Sequence, residues 1–433
     1  MPFVALGLSP SLCQPLTRLG YTAPTPVQVK SIPIVLTGAD LLARAQTGTG
    51  KTAAFGLPML DRLTIRGGVP AGRRKPRGLV LVPTRELALQ VHASLSAYAV
   101  PANLRVTAIF GGVSINPQKA ALQRGTDIIV ATPGRLIDHM DQRTVDLSGV
   151  EILTLDEADR MLDMGFQPAL RRILKVLPRE RQTLLFSATL SREVVSLSSD
   201  FTRTPQRVDV SEGQVMAATV SHQVHPVPVQ RKGDLLTHVL KTTPGTQALV
   251  FCKTKHGSNR VGQYLERAGI TAAVIHGNKS QSARTRALGD FKAGRVDVLV
   301  ATDIAARGLD IAQLPLVVNF DLPLVPEDYV HRAGRTGRAG VAGRAVSLVS
   351  PEDRTLLHGI QRLLTEPIEH VVVEGFAVTA SSQDALPEPG RRQHGHRQNR
   401  RPGAPRHAGR SDSRRPGPQG SQRPGRAFAR QAR

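Results

Sequence analysis

The chain has 433 residues, 40% of them apolar, and 57 Lys and Arg against 34 Asp and Glu leave a net charge of +23. That length suits two or three domains, and the basic surplus points to a polyanion, either nucleic acid or an anionic membrane. The membrane class is disfavoured: no apolar run approaches the roughly 18 residues of a spanning helix, and no basic-then-apolar leader opens the chain, so a cytoplasmic protein is expected. Cys13 and Cys252 are too few and too far apart for a disulfide framework or a zinc site, and Cys252 reads as a small core residue. Aromatic residues make up 3% with no Trp, which argues against stacking on successive bases and for a grip on phosphates and sugars.

In chain order, the first candidate site is "AQTGTGKT", Ala45–Thr52. It matches the phosphate loop G-x-x-x-x-G-K-[ST] except at Ala45. Gly48 and Gly50 allow backbone N–H groups to turn toward phosphate at the positive end of a helix predicted over "KTAAFGLPMLDRL". Lys51 would then neutralise the β/γ-phosphates and Thr52 would hold Mg²⁺. Taken alone, the stretch also fits an ordinary glycine-rich turn.

Next come the apolar runs "GLVLVP", "DIIVAT", "EILTLD" and "TLLFSAT", separated by amphipathic stretches such as "ELALQVHASLSAYA". Such runs alternating with helices predict an α/β fold of parallel strands in right-handed βαβ units. "TLDEADRM" ends one strand in carboxylates. Beside a phosphate loop, Asp156 is placed to hold a magnesium shell and Glu157 to orient and deprotonate an attacking water. An acidic first helical turn explains the same residues if the phosphate loop is ignored.

The polar segment around 208–220 reads as a linker between an N-terminal domain, 1–207, and a second, 221–372. The second half repeats the plan with "ALVFCK", "AAVIHG", "VDVLVAT" and "LVVNFDLP" but has no phosphate loop. It carries "YVHRAGRTGRAG", in which Arg332, Arg335 and Arg338 recur every third residue. Arginine suits charge developing on a transferring phosphoryl group, although a solvated basic loop has the same composition. From about residue 390 the chain holds 13 Arg, one acidic residue (Asp412) and no Leu, Ile or Val, so a disordered Arg/Gly/Pro-rich tail is predicted, placed at 373–433.

Taken together, "AQTGTGKT", "PTRELA" (83–88), "TPGR" (132–135), "DEAD" (156–159), "SAT" (187–189), "ARGLD" (306–310) and "HRAGRTGR" (331–338) resemble the ordered motifs of DEAD-box RNA helicases over about residues 1–370. "GYTAPTPVQ" (20–28) resembles that family's Q motif, and Ala45 fits its version of the phosphate loop. The short N-terminus, "DEADRMLDMGF" and the Arg-rich tail are most similar to the bacterial RhlE-type subgroup.

The resemblance implies two tandem RecA-like domains that bind ATP with Mg²⁺. It implies ATP contacts from Phe3 (stacking on the base), Thr25, Gln28 (reading the adenine edge), Ala45, Gln46, Thr47, Gly48, Thr49, Gly50, Lys51, Thr52 and Asp310 (near the ribose). Thr52 and Asp156 would hold the metal, and Lys51, Asp156, Glu157 and the arginine fingers Arg335 and Arg338 would be catalytic. Asp159, Ser187, Thr189 and His331 would couple nucleotide to RNA. RNA would meet Pro83, Thr84, Arg85, Gly112, Thr132, Gly134 and Arg135 in the first domain, and Gly277, Arg284, Thr302 and Asp303 in the second. Without the resemblance, Gln28 also fits a helix surface, Phe3 a core and Ser187 a helix cap.

The expected activity is RNA-dependent ATP hydrolysis coupled to local unwinding of RNA duplexes, with ribosomal precursors or RNA-decay proteins as partners. Two other classes stand beside it: an RNA-binding or annealing chaperone working through the basic tail, and a DNA-directed helicase.

Overall fold

Strands whose every residue is apolar must be covered on both faces, and the chain meets that requirement twice. In this computed structural model the described residues are 2–46, 48–65, 74–210, 220–243, 245–306, 309, 311, 314–337, 342–364 and 368–377. The first lobe contains β1 (Leu41–Arg44), β2 (Gly78–Leu81), β3 (Val106–Ile109), β4 (Ile128–Ala131), β5 (Ile152–Leu155), β6 (Gln182–Ser187) and β7 (Gln206–Asp209). These form a parallel sheet in the order β3-β4-β2-β5-β6-β1-β7. The second lobe contains β8 (Val220–Pro226), β9 (Ala248–Phe251), β10 (Ala272–Ile275), β11 (Val298–Ala301), β12 (Leu316–Asn319), β13 (Gly343–Val349) and β14 (Glu369–His370). Its order is β10-β11-β9-β12-β13-β8-β14, and the two lobes belong to one compact unit.

Alternation along the strands builds two cores per sheet. Val80, Ile128, Val130, Ile152 and Leu184 face one side of the first sheet, while Leu79, Leu81, Ile129, Leu153 and Leu155 face the other. In the second, Val250, Val300 and Val318 oppose Leu249, Leu299 and Val317. Cys252 is buried in that core.

Two boundaries differ from the sequence expectation. Residues placed in the linker belong to strands: β7 ends at Asp209 and β8 begins at Val220. Both sit near sheet edges, β7 pairing with β1 and β8 lying between β13 and β14, so their alternating polar residues hide the strand signal. The second lobe also continues past 372. Val373 and Phe376 pack on its core, and the Arg231 guanidinium stacks 4.5 Å from the Phe376 ring centroid. Residues 211–219 and 378–433, with the rest of the expected linker and tail, lie outside the described residues.

Candidate functional site

Ligands of open α/β sheets gather where strand carboxyl ends meet. Here β5, β6 and β1 are neighbours, and Arg44 lies level with Ser187. The loops leaving these ends carry Asp156, Ser187–Thr189 and Ala45–Gly50 respectively. The Ala45 N–H donates to the Ser187 carbonyl at 2.9 Å, fixing the start of the loop. Gly48 and Gly50 have φ of +82° and +92°, where a side chain would be strained. The helix Lys51–Ile65 starts directly after them. Thr49 Oγ1 donates to the Gln46 carbonyl at 2.7 Å, and Thr52 lies in the first helical turn.

Gln28 braces this loop from below. Its Oε1 accepts the Thr25 N–H at 2.9 Å and its Nε2 donates to the Gly50 carbonyl at 3.1 Å. One amide N–H and one lone pair are left for anything else. Phe3 is buried in the first-lobe core, edge-on to Tyr21 with ring centroids 6.0 Å apart, so its ring is already packed. Thr47 lies outside the described residues.

Lys51 is 5% exposed, and its Nζ sits 3.7 Å from Asp156 Oδ1. Both atoms are buried without a hydrogen-bond partner. A buried ammonium and carboxylate that face each other unbonded suit an anionic ligand with a divalent cation between them. Burial pushes the Asp156 carboxyl up to about 6, against the pull of Lys51 and with the repulsion of Glu157. Glu157 lies beside it in the left-handed region at φ +56°, a strained conformation for a residue with a side chain. Burial alone would raise its pKa. The charges of Arg160, Lys51 and Arg335, with a hydrogen bond from Arg160, outweigh that and hold it below the usual carboxylate range.

Asp159 is bound to the β6 loop. Its Oδ2 accepts from the Ala188 and Thr189 N–H groups at 3.0 and 2.9 Å and from Thr189 Oγ1 at 3.2 Å, while its own N–H donates to Ser187 Oγ at 3.3 Å. Across the cleft, the helix Pro326–Ala333 presents His331, and Arg335 follows it. A cavity of about 210 Å³ is lined by Gln46, Arg160 and Thr189 from the first lobe and by His331 and Arg335 from the second. Arg335 is buried, donates from Nη1 to the Leu309 carbonyl, and lines this cavity, and its charge helps to hold the Glu157 carboxyl down. Asp310 and Arg338 lie outside the described residues.

The expected RNA-facing residues divide in two. In the first lobe, Pro83 and Thr84 lead into the helix Arg85–Ala99, with Thr84 Oγ1 accepting the Leu87 N–H. The Arg85 guanidinium occupies the space where a Cβ on Gly112 would lie. Thr132 precedes the helix Pro133–Asp141, Gly134 has open space where a Cβ would be, and Arg135 Nη2 donates to the Val113 carbonyl at 3.1 Å. In the second lobe, Gly277 faces the Lys255 side chain and Thr302 opens the helix Asp303–Ala306. Two residues there have other duties. Arg284 Nη2 reaches Glu86 Oε2 of the first lobe at 2.9 Å, and both Asp303 oxygens accept from Arg332 at 2.6 Å. These groups are engaged inside the protein, although Arg284 Nε is buried without a partner and Asp303 remains partly exposed.

Several residues escaped that reading. Glu86 takes Arg284 and also Gln281 Nε2 at 2.9 Å, clasping the lobes together. Arg160 pairs with Glu157. Arg332, read from the sequence only as one of three regularly spaced arginines, ties Asp303 to Asn319 and stacks on Phe251 with 4.8 Å to the centroid. The available signals for Glu86 were its place in "PTRELA" and in the first turn of the helix Arg85–Ala99. Among the described residues there is no cluster of three or more His, Cys, Asp or Glu suited to a metal, and no helix is long and apolar enough to cross a membrane.

The family model for DEAD/DEAH box helicases matches residues 25–197, and that for the helicase conserved C-terminal domain matches 231–340. The chain is 43% identical to the ATP-dependent rRNA helicase rrp3 of Neosartorya fischeri over 86% of its own length and 78% of that protein. It is 41% identical to the ATP-dependent RNA helicase CshA of Listeria monocytogenes, over 83% and 68%. Among solved structures it is similar to S. cerevisiae Dbp5 bound to RNA and ADP BeF3, with TM-score 0.77 and 30% identity over 86% of this chain and 95% of that one. Against a Dbp5 variant bound to Gle1 and IP6, at 29% identity and the same coverage, the TM-score is 0.69.

Proposed function

Because the chain belongs to the DEAD-box family of ATP-dependent RNA helicases, and so is an RNA-dependent ATPase with two RecA-like lobes, we infer that the inter-lobe cleft is its catalytic centre. The observation that carries this is the unbonded, buried Lys51–Asp156 pair, with Arg335 of the second lobe lining the adjoining cavity. In this reading Lys51 and the N-terminus of its helix bind the triphosphate of ATP, with Ala45, Gln46, Gly48, Thr49 and Gly50 as the backbone cradle. Thr52 and Asp156 would hold Mg²⁺, which supplies charge neutralisation when bound. Gln28 and Thr25 set the loop from the adenine side.

Glu157 accepts a proton from the attacking water, and Arg335 stabilises charge at the transferring phosphoryl group. Neither lobe holds both sets of charges, so hydrolysis requires closure. RNA lying across Gly112, Gly134 and Arg135 of the first lobe and Gly277 and Thr302 of the second favours that same closed state. ATP and RNA therefore raise each other's affinity by linkage. Asp159, Ser187, Thr189 and His331 join the two sites. The likeness to the RNA- and nucleotide-bound form of Dbp5 supports reading the present lobe arrangement as the closed one.

Ribosomal precursor RNA is the substrate class we favour, since several relatives are named as rRNA helicases. RhlE-type membership, suggested by "DEADRMLDMGF" and the Arg-rich tail, and a cytoplasmic location belong to the same proposal. The basic tail would add sequence-independent RNA affinity, consistent with its 13 arginines. The decisive experiment measures ATPase stimulation by RNA and by DNA of equal length in the parent and in Glu157→Gln. RNA alone should stimulate the parent, and Glu157→Gln should bind ATP and RNA without turnover. Equal stimulation by DNA would refute the substrate class, and normal turnover in the variant would refute the assigned base.

A further inference from the structure

The two first-lobe loops read as RNA-facing, around Gly112 and around Gly134, are joined beneath the surface by a chain of side chains. Gln118, on the helix Asn116–Gln123, donates from Nε2 to the Phe110 carbonyl at 3.0 Å. Its Oε1 lies 3.3 Å from Nε2 of His139, on the helix Pro133–Asp141, and His139 Nδ1 lies 2.7 Å from Thr144 Oγ1.

Chemistry sets the direction of the bonds that Gln118 makes in this chain. A carbonyl can only accept, so the amide nitrogen of Gln118 faces Phe110 and its oxygen faces His139. His139 Nε2 must then carry the proton, and the Thr144 hydroxyl, 2.7 Å from Nδ1 and 3.1 Å from the His139 carbonyl, is shared between these two acceptors. The imidazole, 0% exposed, is thus fully satisfied in its neutral form. Burial lowers its pKa, Arg135 and Lys119 push the same way, and Asp138 opposes them.

The far end of the glycine loop is tied as well, since the Val113 carbonyl accepts from Arg135. Gly112 turns between these anchors at φ +77°. Phe110, Val113 and Gln118 also line a groove of about 810 Å³, so without the Gln118 bond the loop has room to relax.

We propose that His139 and Gln118 are positioning residues for RNA binding. Through the Thr144–His139–Gln118–Phe110 chain they hold the glycine loop in register with the start of the helix Pro133–Asp141, so that both meet one RNA backbone at a set spacing. The inference rests on reading those two loops as RNA-facing.

The test uses the full chain, a fluorescein-labelled single-stranded RNA and a non-hydrolysable ATP analogue, read by anisotropy, with RNA titrations of ATPase alongside. Gln118→Glu keeps the shape but removes the donor to Phe110. It should weaken RNA binding about tenfold, as expected for one unsatisfied buried hydrogen bond, and raise the RNA concentration for half-maximal ATPase to match. The maximal rate should change less than about twofold, because Glu157 and Arg335 are untouched. His139→Leu should weaken RNA binding similarly, His139→Gln, which can still donate to Gln118, should restore it, and the double variant should be no worse than Gln118→Glu alone. Should His139→Leu melt early, the isosteric Gln118→Glu carries the test.

Additive losses in the double variant would overturn the relay. Arg135→Ala serves as the control on the surface itself. If it weakens binding while Gln118→Glu does not, the relay alone is wrong; if neither does, the RNA-facing reading falls with it.

Discussion

Glu86→Gln probes the inter-lobe clasp with an isosteric change. In this structure the Glu86 carboxylate accepts from Arg284 and Gln281, each at 2.9 Å, and the two charged side chains are 6% and 9% exposed. Burial lowers the pKa of Arg284 and Glu86 raises it again, so the pair is electrostatically engaged. A glutamine there has one acceptor for two donors, and its own amide N–H groups confront Arg284 or Gln281. Removing one charge of a buried pair costs about 3–5 kcal/mol, and the retained acceptor puts this case near about 3. That cost is confined to closure, because separating the lobes returns both groups to water. The closure equilibrium should drop by roughly 100-fold, comparable with the whole of a typical coupling between two ligands. The assay is RNA affinity with and without a non-hydrolysable ATP analogue, the ratio giving the coupling. It should collapse toward one, while ATP analogue binding without RNA changes little. A variant that keeps the parent's ratio would show that the clasp contributes nothing to closure.

Other consequences can be checked separately. Gly112→Ala puts a Cβ into the Arg85 guanidinium at φ +77°, and should weaken RNA binding with a stability loss of about 1–2 kcal/mol, followed by anisotropy and thermal melting. Glu157→Gln should reduce ATP turnover by at least about 100-fold, the usual range for a lost general base, with RNA and nucleotide still bound. Asp353 is pushed up by burial but pulled further down by Lys232, at 2.8 Å, and by Ser350, so its folded pKa lies below the ordinary aspartate value of 3.8. Its stabilisation is therefore complete above pH 3.8 and fades as the pH falls through the folded value. Asp353→Asn should melt earlier than the parent at pH 7, and the gap should narrow on acidification below that point. Deleting residues 391–433 removes 13 arginines and should leave maximal ATPase intact, with weaker RNA binding and a shallower salt dependence. Loss of ATPase even at saturating RNA would contradict this division of labour.

The strands read from apolar runs, such as "GLVLVP" and "ALVFCK", appear where they were placed because a doubly covered strand needs uninterrupted hydrophobic residues. Among the strands that went unread, β3 and β7 are four-residue edge strands, half exposed, with too little periodicity to separate from loop, while β1 and β13 were missed although both are largely buried inside their sheets. Motif-borne residues were legible for a related reason. Lys51, Asp156 and Arg335 sit in short stretches whose local chemistry is unusual wherever they fold.

By itself, the order of residues determined the two α/β lobes, the phosphate loop and the acidic strand end, because these depend on neighbours within a turn or a strand. Only tertiary structure could decide that Glu86 meets Gln281, 195 positions away, or that His139 speaks to Phe110 through Gln118. A buried polar group needs a partner but does not say which one, and among many arginines and carboxylates the choice is made by the packing that brings two of them within reach while excluding water.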